Sequence, residues 1–175
     1  MTAVLVCPTR STYPFPVPDW VAGIVEESCL GIGRARNTGA EKALLKYNLT
    51  DDDWLLFVDD DTELPKNTPP PPEGFGLAVP IYKPAWPGFE KDYSTGTHVG
   101  IINTTNILGL GPVTVGSCIA VRVGVWNLLG RFPESDDLWE DTMFGATARA
   151  RGVRWVLWKA YVQVHRTYSN EWAVF

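Results

Sequence analysis

Three consecutive aspartates, Asp59, Asp60 and Asp61, follow the apolar run Trp54-Leu55-Leu56-Phe57-Val58. Adjacent carboxylates repel one another and each resists leaving water, so a buried strand ending in three of them calls for a positive partner. The backbone turns at a strand end, which lets Asp59 and Asp61 converge. Hard oxygen donors suit Mg2+, Mn2+ or Ca2+. Magnesium-like ions commonly keep only one or two protein carboxylates and complete their shell with phosphate. The D-x-D pair thus predicts a metal held together with a diphosphate, against the plain alternative of a solvated acidic turn. An EF-hand loop starting at Asp59 would need glycine where this chain has Leu64, so that reading fails.

Three other groups can do chemistry. Glu140-Asp141 stand at the start of a helical pattern; the helix dipole favours acids there, but a carboxylate so placed also serves as general base toward a hydroxyl. His165 ends an apolar run and, beside an acidic metal site, becomes a candidate ligand through a ring nitrogen. His98 has no acidic neighbours and stays unassigned. The stretch "GIGRARN" (31–37) feeds a helix with basic residues, suited to phosphate or nucleotide, yet it is neither G-x-G-x-x-G nor a Walker pattern.

The elements that must position these groups alternate. "AVLVC" (3–7) and "WLLFV" (54–58) read as strands buried on both faces, "GIVEES" (23–28) as a second short strand, and 31–48 as a loop feeding a helix. Strand, loop, strand, helix, strand argues for an α/β layer with a mostly parallel sheet, whose ligands bind at the carboxyl ends of the strands. Prolines at 14, 16 and 18 exclude a regular helix over 11–20. Residues 65–74 form a stiff, proline-rich connection, followed by a strand over 75–82. The aromatic stretch from 83 to 97 reads as an acceptor or lid loop. A β-rich run (113–122), a short helix stopped by Gly130, a helix over 137–152 and two strand-like runs within 153–166 complete the chain, with no repeat and no domain boundary.

Composition narrows the class. The chain has 175 residues, a net charge of −5 and no Lys/Arg-rich block, so one globular domain is expected and generic affinity for nucleic-acid backbones is not advertised. Three widely spaced cysteines, Cys7, Cys29 and Cys118, form no C-x-x-C pair, which fits reduced thiols and a cytoplasmic protein. The first residues read as a strand, not a signal peptide, and no apolar run nears the ~20 residues that span a bilayer.

In order, "CPTR", "GIGRARNTGAEKAL", "WLLFVDDDTELP", "GSCIAVRVGVWNLLGRF", "WEDTMFGATARARG" and "VQVH" resemble the GT-A glycosyltransferases, most closely the family-2-like inverting group, over roughly residues 3–166. The resemblance implies a single Rossmann-like GT-A domain and transfer of a sugar from a nucleotide-diphosphate donor, UDP favoured, to an acceptor hydroxyl. It implies Mn2+ or Mg2+ held by Asp59 and Asp61, with His165 a ligand in some members. Pro8, Thr9 and Arg10 would line the nucleotide pocket, Arg36 and Asn37 would sit near base or diphosphate, and Asp59 and Asp60 near the donor. Asp141 would be the base and Glu140 would help place the acceptor. The acceptor itself stays open: glycan, lipid-linked, protein or modified nucleic-acid base. The chain departs from the group in its proline-rich 11–20 segment and its short C-terminal region. An acidic residue after the second strand often meets the base, and Glu26 or Glu27 would fill that place. A D-x-D phosphohydrolase, disfavoured by Glu63, and a catalytically silent nucleotide-sugar-binding module remain as alternatives.

Overall fold

A computed structural model of the chain describes residues 1–9, 11–28, 31–83, 101–102, 113–114, 118–134 and 140–165. In chain order the elements are β1 (Ala3–Pro8), β2 (Val21–Glu27), α1 (Ile32–Tyr47), β3 (Trp54–Val58), β4 (Thr62–Glu63), β5 (Leu77–Lys83), β6 (Ile101–Ile102), β7 (Val113–Thr114), β8 (Cys118–Arg122), α2 (Val123–Leu129), α3 (Glu140–Ala150) and β9 (Trp155–Val164).

Seven strands form one mixed sheet in the order β2-β1-β3-β8-β5-β9-β4, and β6 and β7 form a small separate ladder. The β1–β2, β1–β3 and β5–β9 pairings are parallel. The β3–β8, β5–β8 and β4–β9 pairings are antiparallel. It follows that β1, β2, β3, β5 and β9 share one direction, while β8 and β4 oppose it. The fold is therefore α/β with a mixed but mostly parallel sheet, as expected, and β8 inserts in reverse between β3 and β5. A short strand buried on both faces has the same apolar pattern whichever way it runs.

Alternation splits the strand residues between two cores. Val4, Val6, Leu55, Phe57, Ile119 and Val121 share one core with Ala40 and Ala43 of α1, Trp126 and Leu129 of α2, and Phe144 and Ala148 of α3. On the other face Leu5, Cys7, Trp54, Leu56, Val58 and Ala120 meet Tyr13, Trp158 and the proline-rich segment's Phe15, Val17 and Trp20. Coverage on both faces is what makes β1 and β3 continuously apolar. Each such fully buried large side chain contributes roughly 1.5–3 kcal/mol. The 11–20 segment thus takes the place of a helix. Its Trp20 indole N–H donates to the Thr68 carbonyl at 2.6 Å, and that of Trp158 to the Pro69 carbonyl at 2.9 Å, pinning the proline-rich connection onto the sheet.

Two expectations change. The runs within 153–166 are one strand, β9, whose pairing with β5 shifts register between Val79 and Ile81. The shift coincides with Pro80, which has no N–H to give the ladder. The 113–122 run divides, with β7 paired to β6 and β8 in the main sheet.

Candidate active site

The carboxyl ends of β1, β3 and β9 meet at one edge of the sheet. Asp59 follows β3, Thr9 follows β1 and His165 follows β9. The Thr62 N–H donates to the Asp59 carbonyl at 3.0 Å and closes a turn over the aspartates, and the His165 N–H donates to the Asp61 carbonyl at 2.6 Å. The turn sends the three carboxylates to different partners, which relieves their repulsion. Asp60 accepts from the Thr9 hydroxyl at 2.6 Å. Asp61 accepts from the Thr62 hydroxyl at 3.1 Å. Asp59 accepts from Arg36 at 2.9 Å.

Arg36 is the positive partner that the acidic cluster requires. Its side chain is 1% exposed; Nη2 reaches Asp59 Oδ1 at 2.9 Å and Nη1 reaches Glu140 Oε1 at 2.6 Å. The guanidinium also lies 5.4 Å from the centroid of the Phe132 ring. Burial opposes its charge, but Asp59 and Glu140 outweigh burial and hold it protonated. Burial pushes the Asp59 carboxyl up to about 6; Arg36 pulls against that rise, while Asp61 and Glu140 add to it. The motif segments 31–37, 59–61 and 140–141, distant in sequence, therefore meet through one buried cation.

Helix α1 also grips the segment leading toward α3. The Asn37 side-chain amide donates to the Phe132 carbonyl at 2.9 Å and to Glu134 at 3.2 Å, and its oxygen accepts the Phe132 N–H at 3.0 Å. Arg34 pairs with Glu134 at 3.3 Å. A Cβ on Gly33 would lie 2.1 Å from the Pro133 carbonyl oxygen, so only glycine lets the backbones approach this closely. Arg36 and Asn37 are both buried and bonded within the protein, so they build the frame of the site, with Arg36 directly beside Asp59.

The remaining candidates divide. Thr9 is buried and fixed on Asp60, and Pro8 closes β1 opposite Glu27. Arg10, His98 and residues 84–97 of the expected acceptor loop lie outside the described residues. Glu140 and Asp141 occupy the first turn of α3, as expected. His165 sits beside Asp61 by backbone, but its Nε2 is 2.9 Å from Glu63 Oε2 and its ring stacks on Phe15 at 4.9 Å. The imidazole therefore faces Glu63, and among the described residues no three His, Cys, Asp or Glu side chains gather as a metal-binding group. Glu63 and Phe15 are neighbours that sequence reasoning missed; the Glu63–His165 pair becomes visible only once β4 pairs with β9. Glu27 is buried against Lys42 and the Ser28 N–H, whereas Glu26 accepts the Tyr13 N–H at 2.7 Å.

The donor set fits Mg2+ or Mn2+ in one form, two hard carboxylates at a strand end with phosphate oxygens supplying the rest. Asp59 and Asp61 have that chemistry, and a carboxylate accepting one hydrogen bond keeps further lone pairs. A scan against protein-family models finds no match, and no curated protein matches the sequence. Among the described residues no helix is long and apolar enough to cross a membrane.

Proposed function

We propose that the chain is a metal-dependent inverting glycosyltransferase of GT-A type that moves a sugar from a nucleotide-diphosphate donor, UDP favoured, to an acceptor hydroxyl. The observation that carries this reading is the convergence of the D-x-D turn and the Glu140-Asp141 helix start on Arg36. A donor-side cluster of acids and an acceptor-side base must lie together for a direct displacement, and these two segments do.

The protein's own groups then have distinct tasks. Thr9, through Asp60, and the Thr62 N–H, through the Asp59 carbonyl, fix the acidic turn. Asp59 and Asp61 would hold the Mn2+ or Mg2+, which when bound offsets the charge developing on the leaving diphosphate. Glu140, anchored by Arg36, fixes the first turn of α3 and with it the backbone of Asp141. The Asp141 carboxylate accepts the proton of the acceptor hydroxyl as that oxygen bonds to the anomeric carbon. The bond from the anomeric carbon to the diphosphate breaks in the same step, so the nucleoside diphosphate leaves and the configuration inverts.

A thermal-shift screen of nucleotide sugars with and without Mn2+ tests the reading, because a ligand that binds only the folded state raises its melting temperature. A UDP-sugar that stabilises the chain only with Mn2+ present is expected. Stabilisation by none of the nucleotide sugars would count against it.

A further inference from the structure

We propose that Arg36 is a positioning residue that couples the two halves of the site, so that the state of Glu140 on the acceptor side sets how firmly Asp59 is held on the donor side. One planar guanidinium donates to both carboxylates, at 2.9 Å to Asp59 and 2.6 Å to Glu140. It is buried, and it projects from a helix clamped to its surroundings by Gly39 against Val6, Gly33 against Pro133 and Asn37 against Phe132. A guanidinium held there answers the loss of one carboxylate by leaning on the other. Lysine carries its donors on one nitrogen and lacks the rigid fork that here reaches the two carboxylates from separate nitrogens. The functional part of the inference rests on the glycosyltransferase reading; the coupling itself does not.

The coupling is read without any ligand, as urea midpoints. In the native background Arg36→Met destabilises, because it strands two carboxylates. In the Asp59→Asn/Glu140→Gln background Arg36 is a buried cation that has lost both of the carboxylates it bonds, so adding Arg36→Met should stabilise. The expected reversal is a midpoint about 0.5 M higher for the triple variant than for the double, or restored folding if the double does not fold. A triple variant no more stable than the double overturns the proposal.

The second arm measures binding of Mn2+ with UDP by the electron paramagnetic resonance of free Mn2+. Glu140→Gln should weaken binding about ten-fold, because Arg36 then leans wholly on Asp59, and should change it less than about three-fold in an Arg36→Met background. An equal loss in both backgrounds overturns the coupling and leaves the transferase reading standing. If the wild-type chain binds no Mn2+ with UDP, the transferase reading falls, and the midpoint reversal alone decides the coupling.

Discussion

Arg36 and Glu140 are 104 positions apart in the chain, and their side chains meet at 2.6 Å inside the protein. Arg36 also holds Asp59, so the first carboxylate of the acidic turn and the first residue of α3 share one counterion. A shared counterion fixes separation as well as charge: neither carboxylate can move far without stranding a buried cation. The bridge therefore ties the start of the acidic turn to the start of α3.

Asp141 follows Glu140 in the first turn of α3. Asp141→Asn removes the basic oxygen but keeps size and helix position, so binding of donor and metal should stay within about three-fold while transfer falls at least about a hundred-fold. Titration of UDP with Mn2+ beside a turnover assay checks both halves. Undiminished turnover would remove Asp141 as the base.

Asn37 should matter for stability. Its amide satisfies both the N–H and the carbonyl of Phe132 in a buried setting. Asn37→Ala leaves those groups unpaired and should cost about 3 kcal/mol, read by urea unfolding. A loss under about 0.5 kcal/mol would show that water replaces the amide without penalty.

Gly33 fixes how closely α1 approaches the segment before α3. A methyl group there would meet the Pro133 carbonyl oxygen at 2.1 Å, so backbone must shift. Gly33→Ala should destabilise by about 1–3 kcal/mol despite alanine's better helix propensity, with a matching fall in thermal midpoint.

The acidic turn should respond to pH with a definite sign. Burial raises the Asp59 carboxyl to about 6 from an ordinary 3.8. Between those values the folded chain holds a proton that the unfolded chain has released, so stability from this group falls as pH rises through the window and is greatest below it. Asp59→Asn should flatten that slope in urea midpoints measured from pH 4 to pH 6.5. Cation affinity should run the other way, weakening as pH drops through about 6 and Asp59 takes up its proton.

Local signals in the sequence carry the elements whose chemistry is local. The continuous apolar runs give β1 and β3, α1 covers nearly the span expected, and α2 stops at Gly130, which adopts φ 83°. Direction and pairing are not local, so the reversal of β8 and the single strand β9 stay hidden until partners are known. The same contrast holds at the site. The acidic turn and the Glu140-Asp141 start stand out by residue type. The role of Arg36 depends on burial between segments far apart. One signal points to it all the same: Arg36 lies in register with the buried Ala40 and Ala43 on the apolar stripe of α1, where a charged residue needs a partner. The imidazole of His165 faces Glu63 through the short β4 strand, which two residues of sequence do not announce.

In the proposed reaction Asp59 and Asp61 grip a divalent cation that in turn grips a nucleotide's diphosphate. Calorimetric titration of UDP into the chain, with and without Mn2+, tests this most directly when repeated on Asp61→Asn. Binding that requires Mn2+ and weakens at least about ten-fold in the variant is expected. Equal UDP affinity with and without the metal, unchanged by Asp61→Asn, would contradict it.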